Sequence, residues 1–234
     1  MSEQRAQMFV DPADLPVWMQ QLGHALPDAD VTGIRRVPDE ASTRRSSVLA
    51  LFGETGGIPD VLILQRAAEL RAHAGQPAFP GGQLDPEDRT PVDTALREAQ
   101  EETRLDPSTV TVVATLPEIW VPPSGFVVTP VIGWWHEPMP VAVGDPAEVS
   151  AVFRVPIDEL VDPVNRVVVT HPSGFTGPGF DTNGVMIWGF TALLLDRLLD
   201  LGGFTIPWQP GAREVSFDQL HEAVRSVPRT GEPT

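Results

Sequence analysis

This sequence predicts a mixed α/β (α+β) domain, a β-sheet core flanked by helices, and three observations carry that expectation. Short runs rich in β-branched and aromatic residues recur at 47–52, 61–65, 110–116, 127–134, 151–155, 166–170 and 184–190. Helical patterns at 11–27, from Thr90 to before Pro107, and at 191–200 are interleaved with them. No internal repeat and no long Pro/Gly-rich linker divides the chain. The strands and helices therefore belong to one domain with extensions.

Residues 1–10 read as a mobile leader. Over 11–27, Leu15, Trp18, Met19 and Leu22 recur at helical spacing. Residues 28–45 are polar and hold Arg35, Arg36, Arg44 and Arg45, either a solvated connection or a basic element near an anionic ligand. Ser47–Phe52 and Val61–Gln65 flank a turn-rich link and read as a hairpin. Residues 66–90 form a loop with several Gly and Pro, of a length that in compact domains is often functional. The next helix has clear start signals: Thr90 can cap, Pro91 suits the first position and Asp93 lies in the first turn. Val92, Ala95, Leu96 and Ala99 make its buried stripe, and it should stop before Pro107. Pro-rich loops at 117–125 and 137–147 separate the later strands. Leu193, Leu194, Leu195, Leu198 and Leu199 build the helix at 191–200. Three parts follow: a helical extension and connection over 1–44, the main domain over 45–200, and a C-terminal extension over 201–234 with a short helix at Phe217–Val224 and a flexible polar tail.

The charge balance limits the partners. Sixteen Lys and Arg stand against 32 Asp and Glu, a formal net charge of −16. Such a surface repels a nucleic-acid polymer but leaves room for a small phosphorylated ligand neutralised locally. With no cysteine, disulfides, zinc–thiolate sites and thiol nucleophiles are excluded. The apolar stretch from Val185 to Leu199 is interrupted by Asp196 and Arg197, and no basic-then-apolar leader is read. A cytoplasmic protein with no membrane partner is the expectation.

The chemistry concentrates on Glu98, Glu101 and Glu102, at relative positions i, i+3 and i+4 of the helix that starts at Thr90. That spacing puts them on one face, where like charges repel. Hard divalent cations offset such repulsion and take oxygen ligands. The preceding Gly81-Gly82 lets backbone approach without side-chain obstruction. Arg97 can pair with Glu101 at i+4. A solvated acidic helix is the structural alternative.

Gly82, Asp88, then Arg97-Glu98-Ala99-Gln100-Glu101-Glu102 and Leu105 resemble the signature box of the Nudix hydrolase family. The gap from Gly82 to Arg97 is one residue longer than in the commonest form. The segment running into the Gly-Gly turn, with Arg66, Arg71, Gly75, Gln76, Phe79 and Pro80, resembles the coenzyme A pyrophosphatase branch. So do Val121–Phe126, Glu148-Val149 and Ile187-Trp188-Gly189, and the likeness spans about residues 45–200.

The resemblance implies a Nudix-type sandwich with its metal site on the loop and helix of the box. It implies cleavage of the diphosphate of coenzyme A or an acyl-CoA, yielding (acyl-)4′-phosphopantetheine and adenosine 3′,5′-bisphosphate. Glu98, Glu101 and Glu102 would hold Mg²⁺ or Mn²⁺, with Glu102 or Glu98 accepting the proton of the attacking water. Glu148 would be a fourth carboxylate, as ligand or base, or else a solvated residue at a strand start. Arg66 and Arg71 would face phosphate oxygens or pair with acidic neighbours. Gly81, Gly82 and Phe126 would line the substrate cleft, with Phe126 or Trp120 stacking on adenine or packing in the core. His73 could bond a phosphate or water, Asp88 would order the loop or act as an outer-sphere residue, and Trp188 would be core. The partner expected is a small-molecule substrate, with a homodimer allowed for. Two departures bear on the box: Arg104 stands where the family has glycine, so the helix exit differs or runs on to Asp106, and Ala67 replaces a hydroxyl residue. Another nucleoside diphosphate derivative such as ADP-ribose is the alternative substrate, and a non-catalytic nucleotide-binding module the alternative class. Isopentenyl-diphosphate isomerase chemistry is excluded by the missing cysteine.

Overall fold

The computed structural model describes residues 5–29, 44–70, 73–122, 125–172, 174, 176–182, 184–208 and 213–220. The two apolar runs read as a hairpin fold on each other as antiparallel strands, here β2 (Arg45–Thr55) and β3 (Ile58–Arg66), after a short β1 (Gln7–Met8). Their turn is only Gly56-Gly57, both at positive φ (60° and 87°), the geometry that matches strand twist in two-residue hairpins. After them come β4 (Pro77–Ala78), β5 (Gly81–Gln83), β6 (Val110–Thr115), β7 (Ile119–Val121), β8 (Phe126–Trp135) and β9 (Val149–Pro156). These nine form one mixed sheet in the order β1-β6-β8-β2-β3-β4, with β5 pairing β2, β7 pairing β8 and β9 pairing β3. The β2–β8 pair is parallel and the others are antiparallel.

Alternation along the central strands divides the interior. Phe52, Ile63 and Ile132 face one side, packed with Met19 and Leu22 of α1 (Val17–Ala25) and Leu194, Leu195 and Leu198 of a second helix, Gly189–Leu201. Leu49, Leu51, Leu62 and Val131 face the other side, against Ala95 and Ala99 of α2 (Pro91–Thr103). The sheet is thus sandwiched between helices, as the sequence predicts. A short α3 (Ile157–Val161) leads to a second sheet of β10 (Arg166–Thr170), β11 (Thr176–Asp181), β12 (Met186–Ile187) and β13 (Arg213–Ser216), in the order β12-β11-β10-β13. The helix Gly189–Leu201, hereafter α4, follows β12 directly.

Several elements differ from the expectation. Part of the supposed leader is β1, held by pairing to β6. Two strands interrupt the loop at 66–90, and β7 lies inside the Pro-rich stretch at 117–125. The run at 184–190 contributes only Met186–Ile187 before α4 begins at Gly189. β11, with two Gly and a Pro, is weak by propensity and exists because β10 and β12 pair with both its edges. Of the helix expected at Phe217–Val224, residues 217–220 are helical and the remainder lies outside the described residues, as do Arg35 and Arg36. Among the described residues no helix is long and apolar enough to cross a membrane.

Candidate active site

The helix carrying the three glutamates is set by its start and its stripe. The Thr90 hydroxyl accepts the Asp93 N–H at 3.2 Å and Asp93 accepts the Thr90 N–H at 3.0 Å, a reciprocal capping box with Pro91 at the first helical position. Ala95 and Ala99 are fully buried, and their small size brings α2 close to the sheet. Arg97 then organises the box. Its Nε and Nη2 donate to Asp88 Oδ1 and Oδ2 at 3.2 and 3.0 Å, Nη1 donates to Glu101 Oε2 at 3.1 Å, and Nη2 also reaches Gln83 O at 3.2 Å. The guanidinium fork holds the Asp88 carboxyl well below its ordinary range, at about 2, with backbone and hydroxyl donors from Asp85 and Thr94 assisting against the desolvation. Asp88 thus ties the loop at Asp85 to Arg97 and Thr94 of α2.

The three glutamates share a helix face but not an environment. Glu102 is buried: its Oε2 accepts the Gly81 N–H at 2.9 Å and Arg66 Nη1 stands 3.6 Å from its Oε1. Glu98 is 15% exposed, with Arg97 Nη2 at 3.1 Å from Oε1. Glu101 is 59% exposed and turned outward to Arg97. Among the described residues no three acidic or histidine side chains are gathered to hold an ion. The face that spacing predicts is therefore not a closed cluster, because each carboxylate is drawn to its own donor.

Electrostatics mark the same place. Burial pushes the Glu102 carboxyl up to about 7; the Gly81 N–H and Arg66 oppose this, while the charges of Glu98 and Glu148 add to it. Burial also raises Glu98, opposed by Arg97 and reinforced by Glu101 and Glu148. Glu148 is thus near enough for both to feel its charge, and its carbonyl accepts the Ala67 N–H at 2.8 Å at the end of β3. Glu98 and Glu102, whose charges repel, are oxygen ligands of the kind that a hard divalent cation takes.

Gly81 and Gly82 pair with Val48 and Ser47 on β2, between that strand and α2. A Cβ on Gly82 would lie 2.2 Å from Glu98 Oε1, and one on Gly81 would lie 2.3 Å from Ser47 O. Glycine is required at Gly81 by close approach to the β2 backbone, whereas at Gly82 a Cβ would push the Glu98 carboxylate aside. Arg66, Gly81, Gly82, Glu98 and Glu102 are thus brought together, while Glu148 is exposed and its backbone is bonded to Ala67, next to Arg66.

Other expected residues fall elsewhere. Arg71 lies outside the described residues. Phe126 alternates with Val127 and Val131 on β8, which puts it on the sheet face opposite α2, under the Arg44 guanidinium at 4.7 Å. Trp120, opposite Val127, falls on the α2 face. His73 Nδ1 is engaged with Gln76 Oε1 at 2.8 Å. Trp188 is 7% exposed and packs with Val167, Val169 and Val215, as core.

Residues 42–172 match the NUDIX domain family model. The chain belongs to the Nudix family. Its general chemistry is accordingly Nudix-type hydrolysis of a nucleoside diphosphate derivative. Among curated relatives, an uncharacterized Nudix hydrolase, NudL, of Citrobacter koseri is 34% identical over 171 residues, covering 70% of this chain and 85% of that protein. A NudL of Escherichia coli, also uncharacterized, is 46% identical over 148 residues, covering 60% of this chain and 73% of its own length. Among solved structures, the Nudix hydrolase RenU of M. smegmatis is 28% identical, with a TM-score of 0.41 over 49% of this chain and 71% of that one.

The two departures in this Nudix chain resolve structurally. The helix ends at Thr103 and does not run on to Asp106; Arg104 itself takes the left-handed geometry, at φ 56° and ψ 24°, that the family's glycine would take. Ala67 is buried and acts through its backbone, accepting the Gly75 N–H at 3.3 Å and donating to Glu148. Sequence reasoning missed Gly144, whose N–H donates to the Glu102 carbonyl at 2.9 Å. A lone glycine in a Pro-rich loop carries no signal of that contact.

Proposed function

We propose that this Nudix enzyme cleaves the diphosphate of coenzyme A or an acyl-CoA, releasing (acyl-)4′-phosphopantetheine and adenosine 3′,5′-bisphosphate. The observation that supports it is the placement of Arg66. Arg66, the last residue of β3, brings its guanidinium to 3.6 Å from Glu102, and its buried Nε meets no acceptor among the described residues. A donor so placed suits a phosphate oxygen, and in an acidic chain it supplies the local positive charge that a polyanionic ligand needs.

Glu98, Glu101 and Glu102 would hold Mg²⁺ or Mn²⁺, which when bound draws charge from the diphosphate and makes a bound water more acidic. Arg66 orients the diphosphate across the mouth of the cleft. Gly81 and Gly82 keep the floor clear of side chains, so the phosphates approach the backbone. Water oxygen bonds to one phosphorus while the bridging P–O bond breaks, and the water's proton passes to one of the carboxylates Glu98, Glu102 or Glu148. Arg97 ties the outward-turned Glu101 to Asp88. We place the enzyme in the cytoplasm, where such a substrate is found, with no membrane or nucleic-acid polymer as partner.

The test is mass analysis of the products from coenzyme A with Mg²⁺ or Mn²⁺, beside ADP-ribose and dinucleotides. Fastest turnover of coenzyme A, with cleavage between its two phosphorus atoms and loss of most of it in Glu101→Gln, is expected. Faster turnover of ADP-ribose or a dinucleotide would remove the coenzyme A assignment.

A further inference from the structure

We infer that Gly144 is a positioning residue, which locks the loop carrying Glu148 onto the C-terminal end of the catalytic helix α2. The loop between β8 and β9 does not merely connect strands. Its Ala142 N–H donates to the Thr103 carbonyl at 3.0 Å and its Gly144 N–H donates to the Glu102 carbonyl at 2.9 Å. These are two of the carbonyls that a helix C-terminus leaves without an internal partner. The helix therefore ends on the loop, and the residue that supplies the buried carboxylate Glu102 also supplies the carbonyl that anchors it.

The fit leaves no room for a side chain. A Cβ on Gly144 would lie 1.7 Å from the Glu101 carbonyl oxygen and 2.8 Å from its carbon. Both are backbone atoms of α2, so no rotamer change relieves the contact and the loop has to lift away. Four residues on, Glu148 is held from both sides. Its N–H donates to the Asp145 carbonyl at 3.1 Å, inside a turn that the Asp145 side chain closes by accepting the Ala147 N–H at 2.8 Å. Its carbonyl accepts the Ala67 N–H at 2.8 Å, at the end of the strand that presents Arg66. Gly144 against the end of α2 and Ala67 just past β3 are thus the two fastenings of one span, and Glu148 sits at the second, beside the strand end that presents Arg66 to Glu102. Lifting the Gly144 end frees the Glu148 segment from α2 while contacting only the backbone, and not the carboxylates, of Glu101 and Glu102.

The inference rests on Glu148 belonging to the cleft, and its test is run on whichever nucleoside diphosphate derivative the enzyme cleaves fastest, so a failure of the coenzyme A assignment leaves it intact. Gly144→Ala is expected to lower kcat on the order of 100-fold, the effect of about a 1 Å misplacement, with KM changed less than about threefold. In the Glu148→Gln background the same substitution should cost almost nothing more, because the group it positions is already disabled. Losses that multiply, a wild-type kcat for Gly144→Ala, or full activity of Glu148→Gln would each overturn the inference. Because Gly144→Ala could impair folding, Asp145 provides a second route. Asp145→Ala should lower kcat, and Asp145→Asn, which keeps the oxygen that accepts the Ala147 N–H, should restore it; equal effects of the two would count against positioning. Independently of any substrate, slow hydrogen exchange at the Ala142 and Gly144 amides is expected in the wild-type protein, and rapid exchange there would overturn the docking itself.

Discussion

Arg104→Gly should stabilise this protein without changing its catalysis. Arg104 closes α2 at φ 56° and ψ 24°, with its N–H donating to the Gln100 carbonyl at 2.9 Å. Its side chain is exposed. A side chain with a Cβ pays about 1–2 kcal/mol for the left-handed region. Glycine escapes that cost but has more freedom to lose on folding, worth about 0.5–1 kcal/mol. The difference leaves a gain of about 0.5–1 kcal/mol, and at roughly 2–4 °C per kcal/mol for a chain of this size, Tm should rise by about 1–4 °C. Arg104→Ala is the control: it removes the guanidinium but keeps the Cβ, so it should stay within about 0.5 kcal/mol of wild type. Thermal and urea unfolding of the three proteins measure this directly. Glu98, Glu101 and Glu102 lie upstream of the helix end, so kcat of Arg104→Gly should match wild type. If Arg104→Gly is no more stable than Arg104→Ala, the left-handed strain is not what separates arginine from glycine at this position.

Two further perturbations test the box itself. Asp88→Asn should reduce stability at neutral pH: the fall of the Asp88 carboxyl from 3.8 to about 2 corresponds to roughly 2 kcal/mol. That is an upper value because Arg97 is 26% exposed and solvent screens the pair. The folded-state value is depressed, so this stability is present above about 3.8 and is lost as pH falls through about 2; the gap between wild type and Asp88→Asn in urea unfolding should close across that window. Gly82→Ala should abolish most activity at little cost in stability, since the added Cβ meets the movable Glu98 carboxylate at 2.2 Å and displaces it. Kinetics should show a loss on the order of 100-fold with unfolding shifted by less than about 1 kcal/mol, whereas a variant that unfolds broadly would mean the strand, not the carboxylate, had given way.

Much of the fold is legible because its signals are local. Thr90, Pro91 and Asp93 announce α2 through hydrogen bonds within one turn, and Gly56-Gly57 announces the first hairpin. The missed strands are short or weak by propensity and exist through their pairing: β1 through the distant β6, β7 as three residues of a Pro-rich stretch paired to β8, and β11, despite its Gly and Pro, between β10 and β12. Propensity over a few residues cannot report pairing energy supplied by another segment. The candidate site divides in the same way. Glu98, Glu101 and Glu102 are legible because helical spacing fixes their common face, and Arg97 and Asp88 because they belong to the box pattern. The inequality among the three glutamates is not, because it depends on Gly81 and Arg66 reaching Glu102 while Arg97 draws Glu101 outward.

By itself the sequence determined the Nudix box, the helix that bears it, the helix-flanked sheet and the absence of thiol chemistry. These rest on residue identity and on periodicities of a few residues, which need no knowledge of the rest of the chain. Only the tertiary structure decided that Glu102 is buried and raised toward neutrality, that Phe126 faces away from α2, that Arg104 takes glycine's geometry, and that Gly144 fastens the Glu148 loop to the helix end. Each is a matter of ångström-scale approach between segments distant in sequence, and burial and close contact arise only when those segments are packed against one another.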